Sequence, residues 1–223
     1  LDTFSSIFER AAERKGGIAA LEALLPVAKT PAQLRRLKDS AVLAEMTACV
    51  FRSGFVWKII ESKWAGFETA FADFDVLACA MLSDEELEVL QQNAEIVRHA
   101  KKIASVRANA QFVLDVRDTH QSFGRYLAEW PADDFVGLWA ELKQRGNRLG
   151  GHTGGYFLRF IGRDTPMFSA DVVRALVGLG VVEKEPTSQR ALRHTQDVMN
   201  TWRVESGRSF CEISRVLACS VDS

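Results

Sequence analysis

An all-α fold is predicted by three observations: apolar residues recur at steps of three and four almost throughout, no segment alternates as a half-buried strand would, and Gly and Pro fall between the periodic stretches. The N-terminal run LDTFSSIFERAAERKGG predicts a helix over about Thr3 to Arg14, stopped by the glycine pair. Pro31 suits the first turn of a short helix reaching Leu37. From Ser40 to Ser53, Val42, Met46, Cys49, Val50 and Ser53 share one stripe, the mark of an amphipathic helix with one buried face. A helix from Phe55 to Lys63 follows, and Ser83 with Glu86 forms a capping box that starts another near Asp84. Between Arg98 and Val116, Ile103, Val106, Ala110 and Val113 repeat at helical steps while Lys101, Lys102 and Arg107 occupy other faces, which predicts a long surface helix. Further helices are expected over Gln121 to Glu129, Asp133 to Lys143, Thr153 to Ile161, Ser169 to Leu179, Gln189 to Glu205 and Ser209 to Val221.

The bulk numbers narrow the class. A chain of 223 residues that is 47% hydrophobic and 26% charged can bury a full-sized core, in one compact domain or two closely packed lobes. No run of about 18 uncharged apolar residues occurs, and the N-terminus carries acids in its first turns, so the reading is a cytoplasmic protein without a membrane partner. Cys49, Cys79, Cys211 and Cys219 are scattered, with no Cys-x-x-Cys pair and no histidine at ligand spacing; they read as buried thiols rather than a disulfide framework or a metal site. The net charge of -1 demands no polyanionic partner, so any case for nucleic acid must be local.

One stretch makes that local case. RGNRLGGHTGG, Arg145 to Gly155, places five glycines between two helical patterns, a density that argues for a tight turn whose backbone comes close to something. From Leu142 to Arg163 there are five basic residues, Lys143, Arg145, Arg148, Arg159 and Arg163, and no acid. Free N–H groups in such a turn, leading into a helix, would favour an anion such as a phosphate. A solvated turn with incidental charge is the equal alternative on composition alone. A nucleotide-binding P-loop is excluded, because no Gly-Lys-Ser/Thr follows.

Two blocks resemble a known family. Gly54 to Gln111 carries a Trp-bearing helix (GFVWKIIESKW), a Phe-x-x-Phe-Asp turn (FADFD), an acidic helix (SDEELEVL) and the run IVRHAKKI, in the order and spacing of 3-methyladenine DNA glycosylase I. Leu138 to Leu176, LWAELKQRGNRLGGHTGGYFLRFIGRDTPMFSADVVRAL, is similar to that family's hairpin region and to the hairpin of the wider helix-hairpin-helix (HhH-GPD) glycosylase superfamily. The resemblance covers about residues 40 to 180. It implies a two-lobed helical fold, a central lobe of about 45–165 ending in the hairpin and a terminal lobe of about 1–44 plus 166–223. It also implies a cleft for a base flipped from duplex DNA, with the hairpin residues Arg145, Arg148, Gly150, Gly151, His152, Thr153 and Arg159 on the DNA backbone.

By the same resemblance Trp57 falls on the family's pocket tryptophan, with Phe51 and Phe55 on the same segment. A 3-alkylated purine is positively charged, so aromatic faces and a carboxylate suffice to recognise it, and its glycosidic bond is already weak. Here the departures begin. The family's pocket glutamate, eight residues before its tryptophan, aligns with Cys49; Glu45 lies one turn earlier and is a candidate for the missing carboxylate, with a solvated helix charge as its alternative reading. The superfamily's catalytic Asp aligns with Ser169, which is also a natural helix N-cap; Asp171, in the first turn, is the second carboxylate candidate. His152 stands where bifunctional relatives carry a Schiff-base lysine, so lyase chemistry is not expected. The family's zinc ligands are missing early in the chain, and Asp171 and Ala175 stand at the two later ones, so no metal and no cofactor are expected. The implied function is a monofunctional glycosylase that hydrolyses the N-glycosidic bond of an alkylated base such as 3-methyladenine in double-stranded DNA. The alternative is a helix-hairpin-helix protein that binds DNA without catalysis.

Overall fold

The computed structural model describes residues 2–222, and every described regular element is helical. In chain order these are α1 (Phe4–Lys15), α2 (Ile18–Glu22), α3 (Pro31–Arg35), α4 (Asp39–Arg52), α5 (Trp57–Ser62), α6 (Trp64–Ala70), α7 (Val76–Ala80), α8 (Asp84–Leu90), α9 (Ala100–His120), α10 (Phe123–Glu129), α11 (Phe135–Arg145), α12 (His152–Ile161), α13 (Ala170–Gly178), α14 (Gln189–Ser206) and α15 (Phe210–Cys219). The expected helices all form, with shifts of a few residues at their ends. Three short ones of five to seven residues, α2, α6 and α7, come in addition. A 3₁₀ turn at Ala72–Phe74 separates α6 from α7; Ala72, Asp73 and Phe74 all take positive φ, and the Asp75 carboxylate then accepts from the Ala78 N–H at 2.8 Å to start α7.

Local chemistry sets the helix ends. Thr3 accepts from the Ser6 N–H, and Gly16 at φ 88 closes α1 in the left-handed conformation that a glycine adopts without a Cβ penalty. Full capping boxes start α3 (Thr30, Gln33), α8 (Ser83, Glu86) and α15 (Ser209, Glu212). No described helix is long and apolar enough to cross a membrane. All four cysteines are buried free thiols.

The chain divides into two compact units. The terminal unit takes residues 1–29, 131–138 and 162–223. Its core gathers Ile7 of α1, Leu176 of α13, Met199 and Trp202 of α14, and Phe210, Ile213 and Leu217 of α15, all fully buried. Asp164 fixes the start of α15, its two carboxylate oxygens accepting from the N–H groups of Phe210 (3.0 Å) and Cys211 (2.9 Å).

The central unit takes residues 30–130 and 139–161. Here α9 packs against α4, α7 and α10. This corrects the expectation of a surface helix with Lys102 turned outward: nine residues of α9 are buried, Lys102, Ser105 and Asn109 among them. Polar side chains at those positions hid a second buried face, because a period count treats any lysine or asparagine as wet. The Asp39 carboxylate, in the first turn of α4, accepts from the Phe123 N–H at 2.9 Å and ties α4 to the start of α10.

Candidate functional site

The end of α4 is built to stop at Arg52. Ser53 turns extended and Gly54 takes φ 78, a conformation that side-chain-bearing residues rarely adopt. Two carbonyls at this end, those of Phe51 and Ser53, accept hydrogen bonds from Lys102 Nζ, the first at 3.2 Å. Burial, with the charge of Arg148 adding to it, pushes the Lys102 amine down to about 8. Lys102 therefore works as a C-cap supplied by another helix, and it also lies 4.5 Å from the centre of the Phe55 ring. Past this stop the chain re-enters a helix at Trp57, whose side chain is left 41% exposed.

The opposing wall comes from α12. Its buried face is Gly154, Phe157, Leu158 and Ile161, so His152, Thr153, Tyr156 and Phe160 are left on the other side. A Cβ on Gly154 would stand 2.3 Å from the Leu149 carbonyl oxygen, so only glycine lets the helix begin this close to the turn. Packing of α12 on α4 sets Tyr156 and Phe160 edge-on to Trp57, with centroids 5.7 and 5.8 Å away, while the two α12 rings stack on each other at 5.7 Å. The resulting cleft of about 220 Å³ is lined by the end of α4 (Cys49, Arg52), the Ser53–Gly54 turn, Trp57 and the four residues of α12.

Charge in this cleft is arranged around Arg52. Its guanidinium lies 5.4 Å from the centre of the Trp57 ring and 5.6 Å from that of Phe160, and Nη1 donates to Glu45 Oε1 at 3.2 Å. The Cys49 thiol donates to the same oxygen at 3.5 Å. Burial, then the neighbouring Glu45 charge, pushes the Cys49 thiol far above its usual range, so it stays neutral and acts as a weak donor.

The hairpin between α11 and α12 is anchored from below by Asn109. Its amide makes two bonds to one residue of the turn, accepting from the Asn147 N–H at 2.7 Å and donating to the Asn147 carbonyl at 3.1 Å. Leu149, 1% exposed, plugs the turn into the core, while Arg148 takes φ 63 and Gly151 φ 59. Lys143, Arg145 and Arg148 are exposed. Arg145 is not a free charge: Glu141, one residue before the acid-free stretch, accepts from it at 2.9 Å. Arg163 leaves the group altogether, because it is 8% exposed in the terminal unit and donates to the Pro131 carbonyl.

The structure thus brings Trp57, Cys49, His152 and Thr153 into one cleft, with Arg145, Arg148, Gly150 and Gly151 in the adjoining turn and Arg159 further along α12. Glu45 stands behind the cleft wall, on Arg52 and Cys49. Phe51 does not line it: fully buried, it packs edge-on against Phe67 at 4.6 Å. Ser169 and Asp171 belong to the terminal unit, where Ser169 caps α13 by accepting from the Val172 N–H, and Asp171 pairs with Arg174 at 2.9 Å. The residues present do not fit the zinc of the resembling family, since Ala175 has no ligating atom, and no group of three His, Cys, Asp or Glu side chains among the described residues could hold a metal. Sequence reasoning missed Arg52, Tyr156, Phe160 and Asn109. The one available signal was the aromatic pair at i, i+4 on the face of α12 opposite Phe157, Leu158 and Ile161.

The model of the family described as methyladenine glycosylase matches residues 35–151, just over half of the chain. The chain belongs to the methyladenine glycosylase family. Among its relatives, DNA-3-methyladenine glycosylase 1 of Escherichia coli (strain K12) is 30% identical over 86 residues, which is 38% of this chain and 46% of that protein, so the match spans about half the relative's length. Two solved structures show the same fold at lower identity. The 3-methyladenine DNA glycosylase I from Staphylococcus aureus, solved to study 3-methyladenine recognition, superposes with a TM-score of 0.51 at 21% identity, over 65% of this chain and 84% of its own. The Methanocaldococcus jannaschii 8-oxoguanine glycosylase/lyase, in complex with a 15mer DNA containing 8-oxoguanine, reaches 0.55 at 15% identity over 95% of both chains. The family match takes in both α4 and most of the hairpin, and stops at the threshold of α12.

Proposed function

We propose that this chain is a monofunctional DNA glycosylase of base-excision repair, which flips an alkylated base from duplex DNA into the Trp57 cleft and hydrolyses its N-glycosidic bond. The carrying observation is the cleft itself: an exposed indole faced by two more exposed rings, directly beside a basic glycine-rich hairpin. A flipped base has two π-faces and needs such a slot, and the few kcal/mol of unstacking are least for a damaged base. Lys143 in the last turn of α11 and Arg148 in the hairpin supply the attraction to phosphate, and 3-methyladenine, after which the relatives are named, is one of the alkylated bases to be tried. Lysine is missing at His152, which supports simple hydrolysis over lyase chemistry. Glu45, which holds Arg52 and Cys49 behind the cleft wall, is the carboxylate of this unit that would stabilise positive charge on the sugar.

The test is base release from duplexes carrying alkylated, deaminated or oxidised bases, by wild type and by Trp57→Ala. Release from alkylated duplex that falls at least tenfold in Trp57→Ala supports the proposal. A second reading, a binder without catalysis, draws on Cys49 at the family's glutamate position and on the engagement of Glu45 by Arg52. Salt-dependent duplex binding with no release across the whole panel would establish that reading in place of the first.

A further inference from the structure

We infer that Arg52 sets the lesion class: the cleft selects an uncharged alkylated base with a hydrogen-bond-accepting edge, and discriminates against cationic alkylpurines. The inference rests on the Trp57 cleft being a base pocket and narrows what that pocket takes. Three observations carry it. The guanidinium already lies over the Trp57 and Phe160 rings, so the aromatic attraction that would hold a cationic base is spent on a cation of the protein's own. The nearest carboxylate, Glu45, is paired with that same guanidinium at 3.2 Å and is not in the cleft lining, while Cys49, which is, stays neutral. Arg52 also keeps donors for a ligand: its side chain lines the cleft and is 21% exposed, and the bond to Glu45 engages Nη1.

A second positive charge entering this cleft would meet the guanidinium before Glu45, which is paired behind it and does not line the cleft. A ring nitrogen or carbonyl on an uncharged base would instead accept from guanidinium donors that Glu45 leaves free, an orienting contact that a merely stacked base does not provide. The same contact suits the chemistry of an uncharged leaving group. When the C1′–N bond breaks, its electron pair goes to the base; water's hydroxyl ends on C1′ and its proton ends on the base. Hydrogen bonds from a guanidinium to the acceptor edge disperse that charge as it develops, whereas a cationic base leaves neutral and needs no such help.

The experiment measures competitive binding of the intact protein to three duplexes: one with 1,N6-ethenoadenine, one with 7-methylguanine on a 2′-fluoro sugar that prevents its loss, and one undamaged. The expected result is at least a tenfold preference for the ethenoadenine duplex over the 7-methylguanine one, retained by Arg52→Lys and reduced about tenfold or reversed by Arg52→Gln. A wild-type preference for the cationic lesion, or a ratio that Arg52→Gln leaves unchanged, overturns the inference. Thermal melts of both variants show whether a changed ratio comes from a folded protein. The preference ratio is independent of turnover, so a protein that selects the neutral lesion but releases no base defeats the glycosylase proposal and upholds this one. Equal binding to all three duplexes overturns this inference, while the glycosylase proposal stands or falls on base release.

Discussion

The central unit holds two clusters of aromatic rings, each built around a tryptophan, and they do opposite things. In the first, Trp64, Phe67, Phe71 and Phe74 form a stacked row, with Trp64 lying 5.6 Å from Phe67 and 5.3 Å from Phe74, and its three phenylalanines are at most 2% exposed. In the second, Trp57, Tyr156 and Phe160 meet at similar distances yet stay 41%, 38% and 42% exposed. The row converts ring area into burial and so into stability. The cleft rings forgo that gain, leaving their faces to water and to Arg52. Exposed apolar surface held in place by packing elsewhere is what a binding face looks like before its ligand arrives.

The sharpest way to break this comparison is to truncate one ring in each cluster. Phe67→Ala removes a fully buried ring and should cost about 3–5 kcal/mol in urea unfolding. Trp57→Ala, with more of its surface already wet, should cost no more than about 1 kcal/mol while disabling base binding. If the two variants lost equal stability, the cleft rings would be core, and the functional reading would lose its footing. Of the three rings of the cleft, only one was legible in the sequence. Trp57 stands out because it sits at a motif position, whereas the i, i+4 spacing of Tyr156 and Phe160 sets them on one face of α12 without saying whether that face or the one with Phe157 turns inward. That is decided by α4, about a hundred residues earlier in the chain, and by Gly154 letting α12 approach the turn.

The hairpin teaches a similar lesson at a smaller energy. Its glycines and basic residues were readable, but the side chain that holds it was not, because Asn109 sits among Val106, Ala110 and Val113 and its partner lies 38 residues away. Asn109→Ala strips the Asn147 N–H and C=O of their partners and should destabilise by about 2–3 kcal/mol, with a matching loss of duplex affinity. A variant with full stability and weakened DNA binding would instead assign Asn109 to the interface itself. A variant with lost stability and intact affinity would separate the turn's geometry from DNA binding.

Lys102 connects the hairpin to the cleft through its charge as well as its position. Helical periodicity makes the fold class plain but does not place α9, because a lysine on a helix reads as solvated whether or not it is. Lys102→Met leaves the Phe51 and Ser53 carbonyls without their donor, and a loss of about 2 kcal/mol is expected at neutral pH. The pH dependence carries a distinct sign. The folded-state value of about 8 lies below the ordinary 10.5, so between those values the unfolded chain binds a proton that the native state has released. This contribution to wild-type stability therefore rises as pH climbs through that window. Since Met has nothing to titrate, the gap between wild type and Lys102→Met, followed by thermal melts, should widen from pH 8 to 10.5. A constant gap would mean that the amine keeps an ordinary affinity for its proton.

The smallest effect separates the two hairpin arginines. Arg148 is exposed and holds φ 63, so Arg148→Gly relieves a backbone conformation that disfavours a Cβ and should leave stability unchanged or raised by up to about 1 kcal/mol. Its guanidinium should still be missed on DNA: one lost phosphate contact lowers the slope of log affinity against log salt by about 0.9. Arg145→Ala removes a guanidinium already paired with Glu141 at 2.9 Å and 4.8 Å from the Phe112 ring, so its slope should change by less. Equal slope changes would show that the Glu141 pair opens on DNA and that both arginines reach phosphate. No change for Arg148 would mean that its charge serves chiefly to depress the Lys102 amine behind the cleft, and that the grip on the strand comes from the backbone N–H groups of Gly150 and Gly151.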